Sequence, residues 1–168
     1  MHLFVGTYGK FTLTMEVGMS ETATHATLTK TVHVEAPVNR AFELFTARLG
    51  EWWPLATHSV GEETARDVAM QCHLGGQIVE TLQDGSTAVW GTVTDWASPD
   101  LVAFTWHPGQ PVAEATRVEV SFVASDTGTE VTLRHSAWSS RPDGERARGG
   151  YDRGWDLVLA QFTAAGAR

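Results

Sequence analysis

From Asp67 to Ser136 the chain falls into six short runs that alternate apolar and polar residues: Asp67–His73, Gln77–Leu82, Thr87–Trp96, Leu101–His107, Thr116–Ala124 and Glu130–Ser136. No other feature constrains the fold as tightly. A period of two puts every second side chain on one face of an extended strand, so each run predicts a strand with one face in a core. The intervals are brief and rich in turn chemistry: Gly75-Gly76, Asp84-Gly85, Ser98-Pro99-Asp100, Pro108-Gly109 and Asp126-Thr127-Gly128. Connections this short join antiparallel neighbours, whereas parallel strands need a crossover of roughly a dozen residues or more. An antiparallel meander is the expectation.

The flanks supply the rest. Leu28–Glu35 alternates as a further strand, with Lys30 standing among Leu28, Val32 and Val34 in the apolar register. Pro37 suits a first helical turn, where its missing N–H would have no partner, and Val38, Ala41, Phe42, Phe45 and Leu49 recur at helical spacing. A short helix pair is expected after the first strand, its main member running from Pro37 to Leu49 and ending at Gly50. Glu51-Trp52-Trp53-Pro54 follows, and Pro54 bars a simple helical continuation. After Arg141-Pro142-Asp143-Gly144, a stripe of Tyr151, Trp155, Val158, Leu159 and Phe162 predicts a long C-terminal helix. The fold class expected is α+β: a curved antiparallel β-sheet wrapped around that helix, with a space between sheet and helix.

Size and composition bound the function. At 168 residues the chain is long enough for one core, and its 42% hydrophobic and 19% charged residues are those of a globular domain. No apolar run approaches the roughly 20 residues of a membrane span, so no membrane span is expected. The net charge of −8 argues against nucleic acid as a partner. Cys72 is the only cysteine, which excludes an intrachain disulfide and fits a reducing, cytoplasmic setting. Residues 1–26 carry only a weak alternation around 12–17 and read as a poorly ordered or loosely attached segment, with Met19 a candidate natural start and residues 27–166 a single domain. Seven tryptophans stand beside two tyrosines, which points to a ring-packed core or a ring-lined pocket.

The order and spacing of several strings then resemble a known family. Val34-Glu35-Ala36-Pro37 leads to Ala41-Phe42-Glu43-Leu44-Phe45-Thr46, followed by Glu51-Trp52-Trp53-Pro54, Trp90-Gly91-Thr92-Val93 and Leu101-Val102-Ala103-Phe104-Thr105-Trp106. Gly128 through Ser136 and then Gly154-Trp155 with Val158-Leu159 complete the pattern. Together they resemble the SRPBCC or START-like superfamily, in its branch similar to the activator of heat-shock-protein-90 ATPase homologue. The resemblance covers roughly residues 28–165. It implies the helix-grip fold, bacterial origin, and a cavity that in many members takes a small apolar ligand. It does not imply one reaction, because members include carriers, cyclases, aromatases and receptors.

Alternation sorts the inward faces as Val68-Met70-Cys72, Val102-Phe104-Trp106, Val118-Val120-Phe122 and Val131-Leu133-His135, opposite Tyr151 and Trp155 of the helix. The candidate ligand-cavity residues are Trp53, Met70, Phe104, Trp106, Phe122, His135, Tyr151 and Trp155. Those with a polar atom on an apolar ring stand out, since a buried N–H or hydroxyl needs a partner, and in a cavity a ligand can be that partner. For His135 three readings are open: a core histidine satisfied by neighbours, a ligand hydrogen-bonder, or an acid–base group. The other histidines are scattered without ligand spacing, so no metal is expected, and the absence of phosphate-binding and nucleophile-elbow motifs leaves no cofactor and no catalytic residue to name. The function expected is binding of a small hydrophobic or aromatic molecule between sheet and C-terminal helix. The alternatives are a cyclase, aromatase or hydrolase in the same cavity, or a co-chaperone-like domain that stimulates an ATPase. A homodimer through an exposed sheet edge and a chaperone partner stand beside the small molecule as candidate partners.

Overall fold

β1 (Leu28–Val34) ends where Pro37 begins a helical turn, and α1 (Val38–Phe45) follows at once. The computed structural model describes residues 26–168, so the expected lead-in up to residue 25, its weak strand around 12–17 and the Met19 start lie outside the described residues. Beyond α1 come β2 (Ala65–Met70), β3 (Gln77–Leu82), β4 (Thr87–Ala97), β5 (Leu101–Trp106), β6 (Thr116–Ser125) and β7 (Gly128–Ser136). The last element is the helix α2 (Gly144–Gly166), 23 residues long. The strands form one sheet in the order β1-β7-β6-β5-β4-β3-β2, every pair antiparallel. This is the predicted meander, with β1 laid along β7 from Leu28 opposite His135 to Val34 opposite Thr129.

The sheet curls because β4 is irregular on both of its edges. β4 shifts register against β3 between Ile78 and Val79, and against β5 between Val93 and Asp95. Such bulges increase local twist and bend a strand. Gly91 sits at this bend, and a Cβ there would lie 1.7 Å from the Thr105 carbonyl oxygen, so only glycine lets the two backbones approach this closely.

α2 lies in the resulting concavity, burying Trp155, Val158, Leu159, Phe162 and Ala165. Its last turn touches β1, where Gly166 replaces a side chain whose Cβ would meet Val34 Cγ1 at 2.2 Å. α1 buries Ala41, Phe42, Leu44 and Phe45, and joins the same core by edge-on ring contacts from Phe42 to Phe122 and from Phe45 to Phe162. Lys30, anomalous in the apolar register of β1, reaches α2 and pairs with Asp152 and Asp156 at 2.6 and 2.8 Å. Those carboxylates are one helical turn apart, so a single lysine ties the edge strand to the helix.

The helix expected from Pro37 to Leu49 ends sooner. Both the N–H and the hydroxyl of Thr46 take the Phe42 carbonyl, at 3.0 and 2.7 Å, and the chain leaves helical geometry there. The second member of the expected helix pair is a single 3₁₀ turn, Leu49–Glu51, since Pro54 stops any longer one. β2 likewise begins at Ala65 and ends at Met70, short of the expected His73, because Gln71 accepts and donates across the Gly75-Gly76 turn instead of continuing the ladder.

Candidate functional site

The adjacent indoles of Trp52 and Trp53 are both buried and lie tilted against each other, ring centres 5.6 Å apart, but they turn to different partners. Trp52 donates from Nε1 to the Leu44 carbonyl at 2.8 Å and packs on Phe45 and Phe162. Trp53 donates to the His58 carbonyl at 2.6 Å and enters the concavity. There its ring centre stands 5.2 Å from Trp90, 5.8 Å from Trp106 and 6.0 Å from Trp155. Trp106 also meets Trp90 at 5.5 Å and Trp155 at 5.7 Å. Four indoles thus fill much of the space expected between sheet and helix. Offset and edge-on ring pairs of this kind add about 0.5–1.5 kcal/mol each beyond their buried area.

A cleft of about 110 Å³ survives at the edge of this cluster. Its floor and walls are Trp53, Trp106, Trp155 and Val158, and its rim is His58, Pro108, Tyr151 and Gly154. A wider vestibule of about 350 Å³ shares His58, Pro108, Tyr151 and Gly154 with it, and adds Gln110, Arg141, Ala147 and Gly150. Four of the eight candidate cavity residues, Trp53, Trp106, Tyr151 and Trp155, therefore line one cleft. Met70, Phe104 and Phe122 do not line it: Phe122 packs on Phe42 and Phe45, Phe104 supports Trp106 from within the sheet, and Met70 is buried on β2.

His135 is inaccessible to solvent and lies behind the cleft. Its Nδ1 accepts from Trp155 Nε1 at 3.0 Å, and an indole nitrogen is only ever a donor. Its proton is therefore on Nε2, which donates to Thr116 Oγ1 at 2.6 Å, and the Thr116 hydroxyl donates in turn to the Trp106 carbonyl at 3.1 Å. Burial, assisted by the positive charge of Arg141, lowers the imidazole pKa from 6.5 to about 3. Both ring nitrogens are occupied within the fold, by Trp155 and Thr116, and the ring is neutral. The ring orients Trp155 from behind without touching the cleft.

On the rim, beside the His58 imidazole, Tyr151 brings a hydroxyl to the cleft. Its oxygen accepts from Trp106 Nε1 at 3.2 Å, and no acceptor for its own hydrogen stands within hydrogen-bond distance among the described residues. Burial raises the phenol pKa, so it remains a donor. His58, which the sequence reasoning did not single out, bonds through Nδ1 to Thr57 Oγ1 at 2.8 Å, and a Cβ on Gly154 would lie 3.9 Å from its Nε2. Small residues on one helix face let that ring close over the cleft.

A second overlooked residue holds the loop bearing His58. Glu80 is wholly buried and accepts from Trp90 Nε1 at 2.8 Å and from the backbone N–H groups of Val60 and Gly61 at 2.9 and 2.8 Å. The available signal was a carboxylate in the same register as Ile78. Elsewhere, an open hollow of about 430 Å³ beside the β6–β7 turn is walled by Glu35, Pro37, Asp126 and Thr127. A groove of about 250 Å³ runs past Phe42, Thr46, Cys72 and Trp96, and burial raises the Cys72 thiol pKa. Among the described residues no three His, Cys, Asp or Glu side chains gather as a metal site would require, and no helix is long and apolar enough to cross a membrane.

Against known proteins, the sequence profile of the Activator of Hsp90 ATPase homolog 1-like protein family matches residues 35–167. No curated protein is similar enough in sequence to count as a match. Among solved structures, the anthrahydroquino-γ-pyrone synthase Txn09 is 29% identical, with 84% of this chain and 97% of that one covered and a TM-score of 0.59. The Aha1 dimer from Colwellia psychrerythraea is 16% identical over 83% and 95% of the two chains, with a TM-score of 0.62. An uncharacterised protein from Rhizobium leguminosarum is 22% identical over 86% and 95%, with a TM-score of 0.61. The last two likenesses concern the fold alone, which is the START-like helix grip.

Proposed function

The chain belongs to the Activator of Hsp90 ATPase homolog 1-like protein family, and from that premise we propose that it binds a small apolar or aromatic molecule in the indole-floored cleft. The observation that carries this reading is the composition of the cleft: three indoles and Val158 for apolar contact, beside one tyrosine hydroxyl with a hydrogen to give. An apolar recess with a few convergent polar groups is the usual form of a small-molecule site. Its size limits the occupant. Drug-sized ligands take roughly 300–1,000 Å³, and an apolar cavity of about 150 Å³ holds one benzene ring. A single ring fills the inner cleft of about 110 Å³, and any further part of the ligand extends into the vestibule.

Tryptophan fluorescence tests this directly. One- and two-ring aromatic compounds should quench it saturably, because three of the seven indoles line the cleft. Gly154→Leu should abolish the quenching: a Cβ there meets His58 only at ordinary contact distance, and the rest of the side chain occupies the cleft. Saturable quenching that persists unchanged in Gly154→Leu would remove the cleft as the site.

A second reading, an enzyme acting in the same cleft, is favoured by the 29% identity to a synthase and by the presence of both a tyrosine hydroxyl and an imidazole at the rim. Turnover of a bound ligand, lost in both Tyr151→Phe and His58→Gln, would establish it over simple binding. The chaperone partner and the homodimer rest on the descriptions of relatives, an ATPase activator and a dimer, rather than on a residue of this chain.

A further inference from the structure

We infer that the cleft selects aromatic molecules bearing an oxygen acceptor, such as an aryl ketone, and that Tyr151 is the residue that reads this oxygen. The inference rests on the binding proposal above and adds the chemical class of the ligand. The Tyr151 hydroxyl is fixed from one side, since its oxygen receives the Trp106 indole N–H at 3.2 Å. A phenol has one hydrogen to give, and with its oxygen already accepting, that hydrogen is what it offers to the cleft. Trp106 and Trp155, ring centres 5.7 Å apart and tilted by 39°, form the apolar wall on which an aromatic occupant packs beside it. His135 strengthens the arrangement, because its ring lies edge-on to Tyr151 at 4.8 Å while it accepts from Trp155. Trp138 closes the far side at 5.7 Å from the tyrosine ring. The phenol is thus held among the rings of His135, Trp138 and Trp155, and an occupant meets a hydroxyl already in position.

The chemistry predicts discrimination by a single atom. A hydrocarbon entering the cleft leaves the phenol hydrogen without an acceptor, whereas a ketone of the same shape takes it. One neutral hydrogen bond in such a site is worth about three- to tenfold in affinity. The bond also has a local signature. Engaging the hydroxyl as a donor polarises its oxygen and strengthens the incoming bond from Trp106, as linked hydrogen bonds do.

The test compares 1-indanone with indane, two molecules of nearly the same shape, by NMR titration of the ¹⁵N-labelled full chain. The expected result is three- to tenfold tighter binding of 1-indanone, with the Trp106 indole N–H lying further downfield in the ketone complex than in the indane complex, and an affinity ratio near one in Tyr151→Phe. If both compounds bind the unaltered chain equally, the inference falls while the binding proposal stands. A preference that persists in Tyr151→Phe overturns the role of this residue. If neither compound binds, the binding proposal itself fails. Should loss of the Trp106 acceptor prevent Tyr151→Phe from folding, the ratio and the Trp106 resonance in the unaltered chain decide the matter.

Discussion

His135 separates what a residue is near from what it can do. It shares rings with the cleft, yet both nitrogens are committed, to Trp155 and to Thr116, and its pKa lies at about 3. In the unfolded chain an imidazole titrates near 6.5. Between these values the unfolded state binds a proton that the folded state refuses, so this group's stabilisation is complete above about pH 6.5 and is lost as the pH falls toward 3. The expected slope is at most about 1.4 kcal/mol per pH unit. Urea unfolding between pH 6.5 and 5, a range above most carboxylate titration, should show stability falling with pH. His135→Asn should be less stable at every pH but should lose that part of the slope. An unchanged slope would mean that the imidazole is protonated in the folded protein. The period-two pattern put His135 on the inner face correctly. Its partners could not be read, because Trp155 reaches it only through the crossing of helix and sheet, and Thr116 only through the register of β6 on β7.

At the scale of elements, the meander of six strands from β2 to β7 and the long helix were legible because period and punctuation agree at every turn, whereas the place of β1 beside β7 has no local signal. Helix ends were not: the side chain of Thr46 takes over a backbone carbonyl and stops α1 at Phe45, which a hydrophobic stripe running on to Leu49 conceals. The candidate site was half legible for a related reason. Trp106, Tyr151 and Trp155 follow from alternation and helical spacing, and Glu80 shares the inward register of Ile78, but His58 stands on a loop that has no period. Glycines also differ by element. Gly149 and Gly150 lie in the first turns of α2, where an added Cβ meets nothing within 4 Å. Alanine at each should raise stability by about 0.5–1 kcal/mol, measured by thermal or urea unfolding. Gly91→Ala should instead cost about 3 kcal/mol, since its Cβ would enter the Thr105 carbonyl. Tolerance at Gly91 would show that β4 and β5 are not in close backbone contact.

For the whole molecule, the grip of sheet on helix leaves room that indoles largely fill, which accommodates four of the seven tryptophans. The remaining opening lies where α2 emerges from the sheet, between Gly154 and the loop pinned by Glu80. Membership of the family brings the fold, and the rings and the free hydroxyl at this opening make the case for a ligand. Because the seven indole N–H groups are distributed over the molecule, they report where a ligand sits. On titration with 1-indanone, the indole resonances of Trp53, Trp106 and Trp155 should shift together and saturably, while those of Trp96 and Trp138 stay in place. Movement of Trp96 alone would put the ligand in the groove beside Cys72, and with that result the cleft would no longer be the binding site.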